Sequence, residues 1–473
     1  MLFSSLIFLF VFLPLLFIAY YVSPKSLRNY ILLVFSLIFY AWGGVSYTLI
    51  LITSITINYF FVKQLEKNTR QKKKWLITSL IFNILVIAIF KYLDFFIENI
   101  NVLGLFFLKD FSELPLKHII LPLGISFFTF QQMSLLWDVY RDVKPQKNSF
   151  SNIALYISLF PQLIAGPIVR YNDIVDQIKN RTESIVLFRS GIQRFLVGLF
   201  KKIIIANSCG EIADSIMGAP IDNINSPIAW LGIISYTFQI YFDFSGYSDM
   251  AIGLGRMFGF KILENFNFPY ISQSIQEFWR RWHLSLSLWF RDYVYIPLGG
   301  NRNGTYKTYF NLAIVFLLTG MWHGATWSFI FWGLFHGLFL IIEKLGFSEI
   351  LKKLPKIVRW SYTMLVVLVG WVFFRIEELD NAFTYIAKLF GSGEANNFHL
   401  ISYLNKERII ILILATLLSS AFFDKIRMLL NQFDISNTTL YKICADLTLI
   451  LMFIYSVIQI NSGSYNPFIY FRF

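Results

Sequence analysis

The sequence predicts an all-α polytopic membrane protein, one domain over residues 1–473, with about eleven helices and short re-entrant segments around a central tunnel. Three observations carry this. Of 473 residues, 56% are hydrophobic and 15% charged, against about 25% charged in a soluble domain, and the mean hydropathy is +0.59. Apolar stretches long enough for the ~20 residues of a crossing recur along the chain. Basic residues cluster at the ends of those stretches, so the net charge of +13 reads as positive-inside topology and not as nucleic-acid binding. The 52 Phe and 12 Trp suit lipid-facing surfaces with aromatic belts. Cys209 and Cys444 lie far apart in apolar surroundings, which implies neither a disulfide framework nor a thiol metal site.

The spans follow in order. Residues 2–23 carry no charge, no basic region before them and no small-residue cleavage site after them, and predict a retained helix. Residues 29–62 are too long for one crossing and break at Gly43-Gly44 into two helices. Residues 63–74 hold Lys63, Lys67, Arg70, Lys72, Lys73 and Lys74 against Glu66 alone, the signature of a cytoplasmic loop. Counting from that loop places Met1 outside, 75–97 crossing outward, and 118–140 returning to deliver Arg141, Lys144 and Lys147 to the inner side. Residues 154–169 contain Pro161, Gly166 and Pro167, too broken for an ordinary span. Such backbone is tolerated at membrane depth only where protein buries it or it lines a wet cavity. Further spans fall at 192–205, 229–260, 308–342, 360–374, 409–423 and 440–460.

Two segments carry chemistry. Residues 308–342 run without an acidic or basic side chain yet include His323, in Gly320-Met321-Trp322-His323-Gly324, and His336. An imidazole at membrane depth is expensive and marks a functional site by default. Upstream, Glu277-Phe278-Trp279-Arg280-Arg281-Trp282-His283 supplies another. On one continuous helix His336 and His323, thirteen residues apart, would face directions about 220° apart, so His336 is expected to be structural. The remaining histidines, His118 and His399, fall at an outer rim and in a polar loop. No His, Asp, Glu or Cys spacing resembles a metal site.

Five blocks then carry a family resemblance: residues 122–131, 160–170, 239–249 and 277–302, and Gly320–Gly324 with Trp332-Gly333-Leu334-Phe335-His336-Gly337. Together, from 122 to 337, they resemble the membrane-bound O-acyltransferases, and within them the bacterial branch that acetylates alginate and related envelope polysaccharides. The resemblance implies a multi-pass enzyme of the bacterial inner membrane. It implies transfer of an acyl group, acetyl first among them, from a cytoplasmic thioester such as acetyl-CoA or an acyl carrier. The acceptor would be polysaccharide hydroxyls outside, reached through an SGNH-type acyltransferase partner, with no bound cofactor and no nucleic acid. D-Alanyl transfer to teichoic acid is the alternative within the family, and a transporter is the alternative outside it. A transporter would call for inverted repeats and paired broken helices, which the sequence does not display.

Acyl transfer to an alcohol needs a general base near the hydroxyl, and imidazole suits that task. His323 is the expected base, with Gly320 and Gly324 allowing close approach or a break in the helix. His283 either orients His323, donates to the developing oxyanion, binds acceptor, or sits at the interface beside Arg280, Arg281 and Trp282. Trp282, Trp322, Arg280, Arg281 and His336 are expected around the tunnel. Asp243 and Asp249, within the span 229–260, need cationic partners; Arg256, Lys261 or the Arg280-Arg281 pair are the candidates, for an ion pair or for substrate contact. Lys201, Lys202 and Arg170 either anchor the inner face or attract donor phosphates. Arg291, Asp292, Tyr293 and Arg302 are expected to form the chamber mouth. The C-terminal motif at 467–473, Pro467-Phe468-Ile469-Tyr470-Phe471-Arg472-Phe473, reads as an aromatic interfacial anchor. It also resembles the FxYFxF-type terminus of a small membrane partner in teichoic acid D-alanylation, which implies Tyr470 as a covalent acyl relay.

Overall fold

The computed structural model describes residues 1–143, 148–391, 400–435, 438–463, 465–467 and 469. Every regular element among them is a helix, as hydrocarbon surroundings demand of a backbone that must satisfy its own hydrogen bonds. Among the described residues, five helices are each long and apolar enough to cross a membrane: Val45–Lys67, Lys72–Phe107, Trp327–Lys353, Lys356–Arg375 and Thr439–Asn461. A sixth span results if Lys406–Leu418 and Phe422–Gln432, bent by 62° at their junction, count as one. The remaining apolar segments are short, such as Phe8–Val22 and Arg28–Ala41, or carry charge and sit inside the protein. The expected eleven spans are therefore not reached by length and composition.

Several predicted boundaries move. The break at Gly43-Gly44 is present, with Gly44 at φ 144°, a conformation L side chains rarely adopt. The segment expected at 75–97 continues to Phe107. The one expected at 118–140 is helical only from Ile125. Residues 185–217 form one continuous helical run, longer than the expected 192–205. The run 308–342 is not one helix but a hairpin: Thr305–His323 ends at Gly324, and Trp327–Ile342 begins after Thr326.

At the centre stands Ser226–Met257, in which every residue from 239 to 255 is buried. A helix enclosed on all sides belongs to the core rather than to the lipid boundary. Its close partner is Ile185–Phe200. A Cβ on Gly198 would come within 2.6 Å of the Gly246 carbonyl oxygen, and one on Gly246 within 2.8 Å of that of Gly198; Gly191 and Gly253 repeat the relation at 2.6 Å each way. Paired glycines two turns apart let the two backbones touch, the usual device where helices pack without a water-driven hydrophobic force.

The broken segment keeps its expected character. Phe150–Ser158 and Phe160–Leu163 are followed by extended chain, and residues 153–169 are all buried. Protein groups satisfy the interrupted backbone: Ser36 Oγ accepts from Phe160 N at 3.1 Å, Ser285 Oγ from Ile168 N at 3.0 Å, and Tyr156 donates to Val169 O at 2.9 Å.

The basic helix ends gather on one face. There Arg28 meets Glu183 at 2.8 Å, Lys72 meets Asp142 at 2.6 Å, Lys63 donates to Asn148 O at 2.7 Å, and Arg170 meets both Asp173 and Asp292. Burial pushes the Glu183 carboxyl up, but the Tyr20 hydroxyl and the Arg28 and Arg181 charges outweigh it and hold the group below the ordinary carboxylate range. Asp292 and Tyr293, expected at a chamber mouth, sit on this face, Tyr293 donating to Asp138 at 2.9 Å.

Candidate active site

His323 is the last residue of Thr305–His323 and is buried. Its ring lies 4.8 Å from that of Trp322, 5.0 Å from Trp332 and 5.0 Å from Phe374. The flanking glycines give the close backbone approach and the helix break expected of them, one each. Gly320 lets the two arms of the hairpin close, since a Cβ there would collide with the Phe329 carbonyl and approach Gly333 Cα at 3.2 Å. Gly324 ends the helix, and the space a side chain would need is filled by the Phe329 ring. Together they place the histidine at a helix terminus.

Because the run breaks there, the single-helix geometry expected for His336 does not apply. His336 lies on the second arm, linked to His323 through Trp332, whose ring is 5.0 Å from His323 and 5.3 Å from His336. It is fully buried, 5.1 Å from Trp279, and neither ring nitrogen has a hydrogen-bond partner among the described residues.

His283 sits at the joint between Ile275–Trp279 and Leu284–Phe290 with φ 45°, left-handed for a non-glycine residue. Such a backbone costs of order 1–3 kcal/mol and persists where the surroundings enforce it. Here they do: Leu284 N donates to Asn265 O at 2.9 Å, and Asn265 Oδ1 accepts from Ser285 N at 3.2 Å and Ser285 Oγ at 2.9 Å. His283 Nδ1 lies 3.1 Å from the same Oδ1, while Asn265 Nδ2 donates to Ser248 Oγ at 3.1 Å. An amide so oriented assigns the proton to Nδ1, which leaves the lone pair on Nε2. Nε2 is buried without a hydrogen-bond partner among the described residues. In its neutral form His283 can accept a proton there but cannot donate to an oxyanion. The two histidines flank one indole, with His283 6.0 Å and His323 4.8 Å from Trp322.

The carboxylates find partners other than those expected. Asp243 pairs with Lys202 at 2.5 Å, both side chains nearly inaccessible, and Asp249 pairs with Arg194 at 2.6 Å and Lys201 at 2.7 Å. The glycine contact explains this: with Gly198 against Gly246, Lys202 and Asp243 fall about one turn beyond it on facing surfaces. Arg256 pairs with Glu264 and Arg281 with Glu277, while Arg280 is exposed. Arg280 and Arg281 therefore do not converge with the histidines. Trp282 does pack inside, 4.9 Å from Trp371. Arg170 is held by Asp173 and Asp292 and Lys202 by Asp243; of the three cations considered for donor phosphates, Lys201 faces a cavity.

Residues 465–467 and 469 pack back into the protein beside this pair. Lys202 donates to Pro467 O, Ile469 N donates to Asp243 Oδ2 at 2.8 Å, and Tyr465 donates to Asp214. Ile469 is buried. Tyr470 lies outside the described residues.

A cavity approaches each histidine. One of about 1310 Å³ is lined by Arg189, Arg194 and Lys201 from one helix and reaches Asn265 and Leu284, the residues holding His283. Arg256, in the last turn of the central helix, and Glu264 also line it. The other, of about 240 Å³, is lined by Lys91, Asp94, Gly324, Thr326 and Glu377 and reaches the residue after His323. Sequence reasoning missed Asn265, Lys91 and the Lys202–Asp243 pairing. Lys91 was legible as a lone charge in an apolar span; a polar Asn265 in a loop carried no signal.

Comparison with known proteins places these features in a family. Residues 84–379 match the model of MBOAT, the membrane-bound O-acyltransferase family. A "probable alginate O-acetylase" of Azotobacter vinelandii is 40% identical over the whole of both chains. A "peptidoglycan O-acetyltransferase" of Helicobacter pylori is 38% identical over 85% of this chain and 82% of its own. A "teichoic acid D-alanyltransferase" of Bacillus subtilis is 31% identical over 54% of this chain and 67% of its own.

Proposed function

The chain belongs to the membrane-bound O-acyltransferase family and is an O-acyltransferase, and we propose that it moves an acetyl group across the bacterial inner membrane. The donor is a cytoplasmic thioester, acetyl-CoA or an acylated carrier, and the final acceptor is a hydroxyl of an envelope polysaccharide reached through a secreted SGNH-type acyltransferase. One observation carries this: two separate cavities are each lined by the residue next to one of two histidines that share an indole, Leu284 beside His283 and Gly324 beside His323. That is the layout a transfer between compartments needs, with a route for each substrate and a short apolar barrier between them. The relatives named for O-acetylation match along most or all of the chain, whereas the D-alanyltransferase matches about half, which favours acetyl as cargo. The basic face is the cytoplasmic one.

In the reaction, imidazole of His323 takes the proton from the attacking hydroxyl as its oxygen adds to the thioester carbonyl. The tetrahedral intermediate expels thiolate, which leaves with that proton. His283, its Nδ1–H fixed on Asn265, offers the Nε2 lone pair to a second hydroxyl or to the same proton. Tyr470 is the relay in this reading. Its phenol oxygen attacks first, giving a tyrosyl ester and free thiol, and the acceptor hydroxyl then displaces the phenol. The seating of Pro467 and Ile469, next to Tyr470 in sequence, on the buried Lys202–Asp243 pair supports this.

The test is a deletion strain complemented with wild-type or His323→Ala protein, with ester-linked acetate measured on each envelope polymer. One polymer should lose acetate on deletion and regain it only with wild type. Unchanged acetate on every polymer would overturn the proposal.

A further inference from the structure

The helix that ends at His323 is terminated by side chains from another helix. A helix leaves its last four carbonyls without intrahelical donors, and burying them unpaired is costly. At this terminus the Gly320 carbonyl accepts from Gly324 N at 3.4 Å. The next three are taken by two adjacent side chains of the helix Lys72–Phe107. Tyr92 donates to Met321 O, and Lys91 Nζ donates to Trp322 O at 2.5 Å and to His323 O at 3.1 Å. Both donors sit on the π-helical turn Ala88–Tyr92, a widening of the helix that often accompanies functional sites. No ion pair is recorded between Lys91 and a carboxylate among the described residues, and Asp94, a neighbour in the outer cavity, accepts instead from Lys117 N at 2.7 Å. An ammonium at a helix C-terminus interacts favourably with the macrodipole, but here it also binds the histidine's own carbonyl.

We infer that Lys91, with Tyr92, is a positioning residue for the acyl-transfer reaction: a clamp from a separate helix that fixes the backbone of Trp322 and His323, and through it the imidazole. The inference rests on His323 being the base. Lys91 also lines both the outer cavity and a small one beside Ser126 and Trp322, so the clamp is part of the partition between the two sides. Losing it removes donors from the helix end, which lets that end fray and displaces the ring from the reacting atoms.

The experiment uses full-length protein in membranes, with acyl transfer measured for His323→Ala, Lys91→Met, Lys91→Arg and Tyr92→Phe. Lys91→Met keeps the apolar stem and removes the donor. Its kcat should fall about 10²-fold, the scale of a 1 Å misplacement, with KM for the thioester unchanged. Lys91→Arg, able to donate to both carbonyls, should recover most of the loss. In a His323→Ala background Lys91→Met should cost nothing more, since groups acting as a unit are non-additive. If Lys91→Met does not accumulate, Tyr92→Phe carries the test, with a smaller fall in kcat at constant KM. Wild-type kcat in Lys91→Met, a loss confined to KM, or a full multiplicative loss on top of His323→Ala would each overturn the clamp. An active His323→Ala protein would instead overturn the base assignment, a distinct result.

Discussion

His323 and His336 are both buried among aromatic rings, and what separates them is the helix end and the adjoining cavity. His323 terminates its helix beside a cavity, whereas His336 is walled in by Trp279, Trp332 and Phe335 and approaches Gly370 so closely that a Cβ there would come within 2.5 Å of Nε2. His323→Ala should therefore lose ~10²–10⁴-fold in rate, the usual yield of a general base, while remaining inserted. His336→Ala should keep most of its rate and lose thermal stability instead; equal losses of rate would mean that His336 belongs to the chemistry. The buried pair gives a second contrast. Asp243→Ala strands the Lys202 charge and should cost ~3–5 kcal/mol, and adding Lys202→Met should restore most of that, read by thermal melting in detergent. For Tyr470, Phe keeps the ring and removes the nucleophile. Loss of polymer acetylation in Tyr470→Phe, with an acetylated C-terminal peptide in donor-loaded wild type, fits the relay; an active variant without that peptide leaves an anchor.

Among elements, the contact between Ile185–Phe200 and Ser226–Met257 holds the rest in place. It brings Lys202 to Asp243, and Arg194 and Lys201 to Asp249, so the glycines set the charge network as well as the spacing. Gly198→Leu cannot be absorbed, because the nearest atoms are the backbone of Gly246 and Met250 and the Cβ of Asp249. Overpacking of this kind costs about 1–3 kcal/mol or more, and the variant should melt lower and lose activity together. A variant with wild-type melting would show that the two helices can separate without cost. Where the sequence reading went astray, the cause was of this type. The run 308–342 is charge-free throughout, so hydropathy sees one segment, while the turn at Gly324 is set by the packing of Phe329 into the vacant side-chain position.

For the whole molecule, the clustering of Arg28, Lys63, Lys72, Arg141, Arg170 and Arg181 on one face makes a topological prediction. In a background with Cys209 and Cys444 replaced by Ser, a cysteine at Gln71 should resist an impermeant thiol reagent in intact cells, and one at Leu114 should react. Labelling at Gln71 would invert the topology and with it the direction of acyl transfer.

Hydropathy and charge order are properties of the chain itself, so the membrane class, the basic cluster at 63–74 and the cost of an imidazole inside an apolar run were all legible in it, although that cluster lies mostly on the ends of the helices Val45–Lys67 and Lys72–Phe107 rather than in a loop. The resemblance across 122–337 likewise named the chemistry and singled out His323 and His283. Partners across the core were not legible. Which cation meets Asp243 depends on where two glycine-lined helices touch. Which atom of His283 keeps its lone pair depends on an asparagine eighteen residues away in sequence. That His323 ends a helix, clamped by Lys91 from more than two hundred residues upstream, follows from helices meeting in space. Spacing along a chain encodes a helix face, but not which other face it will meet.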